Sequence, residues 1–92
     1  MINIKPFLDG EGRIAAWPSR NAKKLAVLLY MSEKFELGRV YTEREVNALI
    51  EQWETIGDLF LLRRGMVDAG YMSRTTNGSA YRRVYVEPER EA

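Results

Sequence analysis

Downstream of Arg44 every cationic side chain in this chain is an arginine. An arginine carries a planar fork of donors that matches phosphate and carboxylate oxygens, so a cluster of them signals recognition of anions. Five fall within residues 55–86 (Arg63, Arg64, Arg74, Arg82 and Arg83) against two acids, Asp58 and Asp68. Residues 1–54 carry eight basic and eight acidic side chains, and the tail "EPEREA" is net acidic. The formal charge of the whole chain is only +1, so its basicity is local. Other chemistry is scarce. With no histidine and no cysteine, the commonest general base, the usual zinc ligands and any disulfide are absent. The adjacent carboxylates Glu43 and Glu45 stand where a helix begins, complementing its dipole rather than forming an acid–base pair. The expectation is a protein that is not an enzyme, with no catalytic residues, no metal site and no cofactor.

The elements that must position these arginines can be read from spacing. Ninety-two residues make one small domain. Its 46% hydrophobic and 29% charged content suits a soluble globular chain. No apolar run approaches a membrane span, and "MINIKPFLDG" has no basic and long apolar regions of a signal peptide, so a cytoplasmic protein with no membrane association is expected. Residues 1–18 read as an extended N-terminal segment broken by a turn at Asp9-Gly10 and Gly12. Ser19 stands where an N-cap would stand, before a first helix from about Arg20 to Phe35 whose stripe is Leu25, Leu28, Leu29 and Phe35 with Ala22 and Ala26, closed by Gly38. Arg39-Val40-Tyr41 is a short extended piece. Thr42-Glu43-Arg44-Glu45 fits the reciprocal capping box, and Val46, Leu49, Ile50 and Trp53 follow at helical spacing. Asp58 caps a third helix that ends near Gly70. Asn77-Gly78, between runs rich in tyrosine, threonine and valine, marks a hairpin; with those two residues as the turn, Arg74 faces Tyr81 and Tyr71 faces Val84. Residues 87–92 read as a frayed tail.

Helix, strand, helix, helix, hairpin is an α+β order: three helices with a small antiparallel sheet made of the short strand plus the C-terminal hairpin. It predicts a winged helix-turn-helix over residues 1–86. On that frame the third helix presents Arg64 to nucleic acid, while Arg74, Asn77, Arg82 and Arg83 form a basic wing along the phosphates. Arg63 lies nearer the core boundary, where its guanidinium is expected to pair with Glu45 or Glu51, and Asn47 is expected to bond the turn before the third helix. Charged residues on a hairpin also protect sheet edges, and an arginine on a helix surface is commonly just solvated. Phe60, Leu61 and Val67 lie off the core face of the third helix, and a helix apolar nearly all round is usually buried against something. The alternative is therefore a protein–protein interaction module that uses this apolar outer face.

Four stretches, "FLDGEGRIAAWPSRNAKK", "YTEREVN", "DLFLLRRGMVDAGYMSR" and "NGSAYRR", resemble in order the motifs of a bacterial domain-of-unknown-function family whose members stand alone or are appended to helix-turn-helix regulators of the ArsR type. The resemblance runs from about Phe7 to Arg83. It implies a winged-helix-like fold and a link to bacterial transcription, and it supplies no binding residues. Where the family has a glutamate and a leucine after the paired arginines, this chain has Gly65 and Met66. The reading is thus a bacterial DNA-binding transcriptional regulator, with DNA, a second copy or another protein as partner.

Overall fold

The computed structural model describes residues 2–87. The elements follow the order α1 (Asn21–Ser32), β1 (Val40–Tyr41), α2 (Glu43–Gln52), α3 (Leu59–Asp68), β2 (Met72–Arg74) and β3 (Tyr81–Arg83). The strands form one antiparallel sheet in the order β1-β3-β2. The last strand is therefore the central one and joins the hairpin to the strand between α1 and α2. The domain is α+β: three helices and a three-stranded antiparallel sheet, with α1 packed on α3 and α3 on β2.

The helix starts follow local chemistry where a cap is present. The Thr42 hydroxyl accepts from the Glu45 N–H at 3.1 Å, and the Glu45 carboxylate accepts from the Thr42 N–H at 2.9 Å. This is the reciprocal box expected from the sequence. Asp58 caps α3 by accepting from the Leu61 N–H at 3.1 Å. At the far end the Tyr71 and Gly70 N–H groups return to the carbonyls of Met66 and Val67, with Gly70 in the left-handed region. That paired closure satisfies carbonyls the helix leaves open and stops it.

α1 differs from its expected form. Its N-cap is Arg20, one residue past Ser19, and no side chain caps it. The helix ends at Ser32, well before Gly38. Phe35 turns inward instead and meets Tyr41 edge-on, ring centroids 5.0 Å apart. The buried line is Val27, Leu28, Met31 and Ser32, with Leu25 and Leu29 only half-buried. α1 is apolar over most of its circumference, so its own spacing selects no face; the elements packed on it do. Its contact with α3 is close. A Cβ on Gly65 would lie 2.8 Å from Leu28 Cδ2, so a side chain there would force Leu28 to shift.

Residues 1–18 are less extended than expected. Lys5–Phe7 forms a single 3-10 turn, and the Asp9–Gly12 turn folds Leu8 back against Ile14. Ile14 is fully buried. Its N–H donates to the Trp53 carbonyl at 2.8 Å, and its own carbonyl accepts from the Thr55 N–H at 2.8 Å. The segment is thereby stitched to the end of α2. The frayed tail expected at 87–92 lies, apart from Glu87, outside the described residues.

The hairpin keeps its expected register, Arg74 opposite Tyr81, and the Val84 N–H donates to the Tyr71 carbonyl. Its loop is wider than two residues. Thr75 pairs with Ala80, and the Thr75 carbonyl accepts from the Gly78 N–H. Gly78 has a positive φ and Asn77 does not. A two-residue primed turn needs both central residues in that region. The Thr75 hydroxyl, which accepts from the Ser79 and Ala80 N–H groups, favours the wider loop.

Candidate nucleic-acid interface

α3 is fixed in rotation by Leu62 and Met66, both fully buried. Of its ten residues only Phe60, Arg64 and Asp68 are then exposed, at positions i, i+4 and i+8. Phe60 is 68% exposed; the side chains of Arg64 and Asp68 are 84% and 68% exposed. Arg64 Nε lies 3.6 Å from Asp68 Oδ2, an open pairing on a wet surface that leaves the guanidinium available. Leu61 and Val67 are half-buried.

Arg63 behaves oppositely to its neighbour. Its side chain is 17% exposed. Nη1 donates to Asn47 Oδ1 at 2.6 Å, Nη2 stands 3.4 Å from Glu43 Oε1, and the guanidinium lies 5.0 Å from the centre of the Phe60 ring. The structural role expected for Arg63 is present, but the acid is Glu43 rather than Glu45 or Glu51, and Asn47 serves this arginine rather than the turn before α3. Helix geometry explains the exchange. Glu43 and Asn47 are four residues apart and share the α2 face that meets α3. Glu45 is engaged elsewhere, with Arg39 at 3.2 Å and with the cap. The Thr42 backbone N–H, followed by the Thr42 hydroxyl side and Arg39, holds the Glu45 carboxyl below its ordinary value.

The pleat divides the basic hairpin. Directly opposed residues share a face of an antiparallel pair. Arg74 is opposite buried Tyr81, so it lies on the helix-facing side. There it joins Arg64, Phe60, Val67 and Asp68 around a groove of about 320 Å³ between α3 and the hairpin. Arg82 is opposite Ser73 and Val40, which are exposed, and so occupies the outer face of the sheet. Arg83, opposite buried Met72, donates through Nη1 to the Phe35 carbonyl at 3.1 Å and closes the chain after α1. Asn77 Oδ1 accepts from the Ser79 N–H and lies within hydrogen-bond distance of the hydroxyls of Thr75 and Ser79, so it organises the turn. Of the five residues expected to meet nucleic acid, the structure brings Arg64 and Arg74 together. It places Arg82 on a second face and ties Arg83 and Asn77 into the fold. Among the described residues neither Arg74 nor Arg82 has an acid within 4.0 Å. Asp68, outside the expected set, lines the groove, and its position four residues after Arg64 was the visible signal.

The family model described as an uncharacterized protein conserved in bacteria (DUF2087) matches residues 13–83. The chain belongs to that family. No curated protein and no solved structure matches it. The matched stretch takes in all three helices and all three strands, hence the whole groove between α3 and the hairpin. Among the described residues no helix is long and apolar enough to cross a membrane, and no three metal-ligating side chains are grouped to hold an ion.

Proposed function

We propose that this bacterial domain is a winged-helix DNA-binding module acting in the cytoplasm as a transcriptional regulator, alone or attached to one. α2 and α3 serve as the helix-turn-helix, α3 enters the major groove and the β2–β3 hairpin is the wing. The observation that carries the reading is the convergence of Arg64 and Arg74. They come from the third helix and the hairpin, and they open on one groove with their guanidinium groups accessible. Arg74 holds a phosphate beside α3, and Arg82 meets the backbone from the outer sheet face.

The test is fluorescence anisotropy with a labelled random duplex at two salt concentrations. It compares the parent with an Arg64→Ala/Arg74→Ala variant. The parent should weaken steeply as salt rises, and the variant should bind more weakly with a salt slope smaller by about 0.9, the contribution of the one phosphate contact that Arg74 makes. Identical binding by both proteins, or no binding by the parent, refutes the reading.

One observation favours a second reading. The N-terminal segment that could have covered Phe60 docks on Trp53 and Thr55 instead, leaving Phe60 bare beside half-buried Leu61 and Val67. A protein partner, including a second copy of the chain, could seat there. An association through these side chains would persist at high salt.

A further inference from the structure

We infer that the row Phe60–Arg64–Asp68 reads base edges, and that it selects a guanine with a thymine one or two base pairs away. This rests on the DNA-binding reading. Three residues of α3 are exposed, and they lie on one side of the helix. A guanidinium pairs in bidentate fashion with O6 and N7 of guanine, and an apolar side chain packs on the thymine methyl. Asp68 meets Arg64 at Nε, which leaves both Nη groups free for the guanine edge. Phe60 and Arg64 are separated by about 6 Å along the helix axis, under two base-pair steps.

Two features are poorly explained by folding alone. Asp68 is the last residue of α3, where the helix dipole disfavours an acid. Its pairing with Arg64 gives that placement a use: it orients the guanidinium that does the reading, which makes Asp68 a positioning residue. Phe60 is the most exposed large apolar side chain among the described residues, so it contributes little to the core. Its ring rests against the Arg63 guanidinium, and Arg63 is held by Asn47 and Glu43. The ring is therefore backed by a rigid support and presented outward.

The experiment selects bound duplexes from a pool with a randomised central segment, using the full chain and sequencing the bound fraction. The parent should enrich a guanine at least about fivefold over the other bases, with thymine enriched nearby. Phe60→Ala should lose the thymine enrichment and keep the guanine, while Phe60→Met, which retains an apolar contact, should keep both. Asp68→Asn should reduce the guanine enrichment at least threefold and leave the salt slope on random duplex unchanged, a pattern that loss of a merely structural residue would not give. A parent that binds duplex but enriches nothing, or a motif that is the same in Phe60→Ala and Asp68→Asn, overturns this inference and leaves the DNA-binding reading standing. A parent that binds no duplex removes both.

Discussion

Two adjacent arginines should respond in opposite ways to the same substitution. Arg63→Met keeps the apolar stem along the α2–α3 contact but removes the guanidinium. It deletes the 2.6 Å bond to Asn47 and the 3.4 Å pairing with Glu43. A charge-assisted bond in a site this enclosed contributes about 1.5–3 kcal/mol, partly offset because the released groups regain water. The Glu43 pairing adds little, since that carboxylate is half exposed and such pairs are screened. The expected loss is about 1–2 kcal/mol, equivalent to a melting-temperature fall of roughly 4–8 °C for each kcal/mol in a domain of this size. Arg64→Met removes a side chain that is 84% exposed with one 3.6 Å contact, so stability should stay within about 0.5 kcal/mol of the parent. Duplex binding should show the reverse. Arg63→Met, measured well below its melting temperature, should bind random duplex nearly as the parent does, losing at most part of the contact made by the Phe60 ring it supports, and Arg64→Met should lose more affinity. Urea unfolding gives the first pair of numbers and anisotropy the second. Equal destabilisation by both substitutions, or undiminished binding by Arg64→Met, would show that the division of labour between the two is wrong.

Two further outcomes test the frame. Ile14→Ala empties a fully buried site at the junction with Trp53 and Thr55, and should cost about 2–4 kcal/mol by urea unfolding; a cost under about 1 kcal/mol would mean the N-terminal segment is not part of the core. The carboxyls of Glu45 and Asp9 are both held below their ordinary values of 4.5 and 3.8, first by the backbone N–H of Thr42 and of Arg13 respectively. A lowered folded pKa contributes stability that is complete above the ordinary value and lost as pH falls through the folded one. The thermal advantage of the parent over Glu45→Gln should therefore be constant from neutrality down to about pH 5 and shrink below 4.5; an advantage that grows on acidification contradicts the assignment.

Local chemistry was enough for the parts of the fold that depend on near neighbours. The Thr42 box, the Asp58 cap, the Gly70 closure and the pairing of Arg74 with Tyr81 each involve residues a few positions apart, so spacing alone specified them. The row of Phe60 and Arg64 followed from Leu62 and Met66 claiming the opposite face of α3. Tertiary packing decided the rest. α1 is apolar nearly all round, and its buried line was chosen by its packing on α3, not by its own period. Gly65 reads as a defect in an isolated helix, yet Leu28 presses against the space where its side chain would be. The partner of Arg63 depended on which turn of α2 crosses α3. The basic hairpin was one cluster in the sequence; the pleat and the central placement of β3 sent Arg74 to the groove, Arg82 to the outer face and Arg83 to the Phe35 carbonyl. Charge type is written in the chain, but the direction in which a charge points is set by contacts between residues far apart in it.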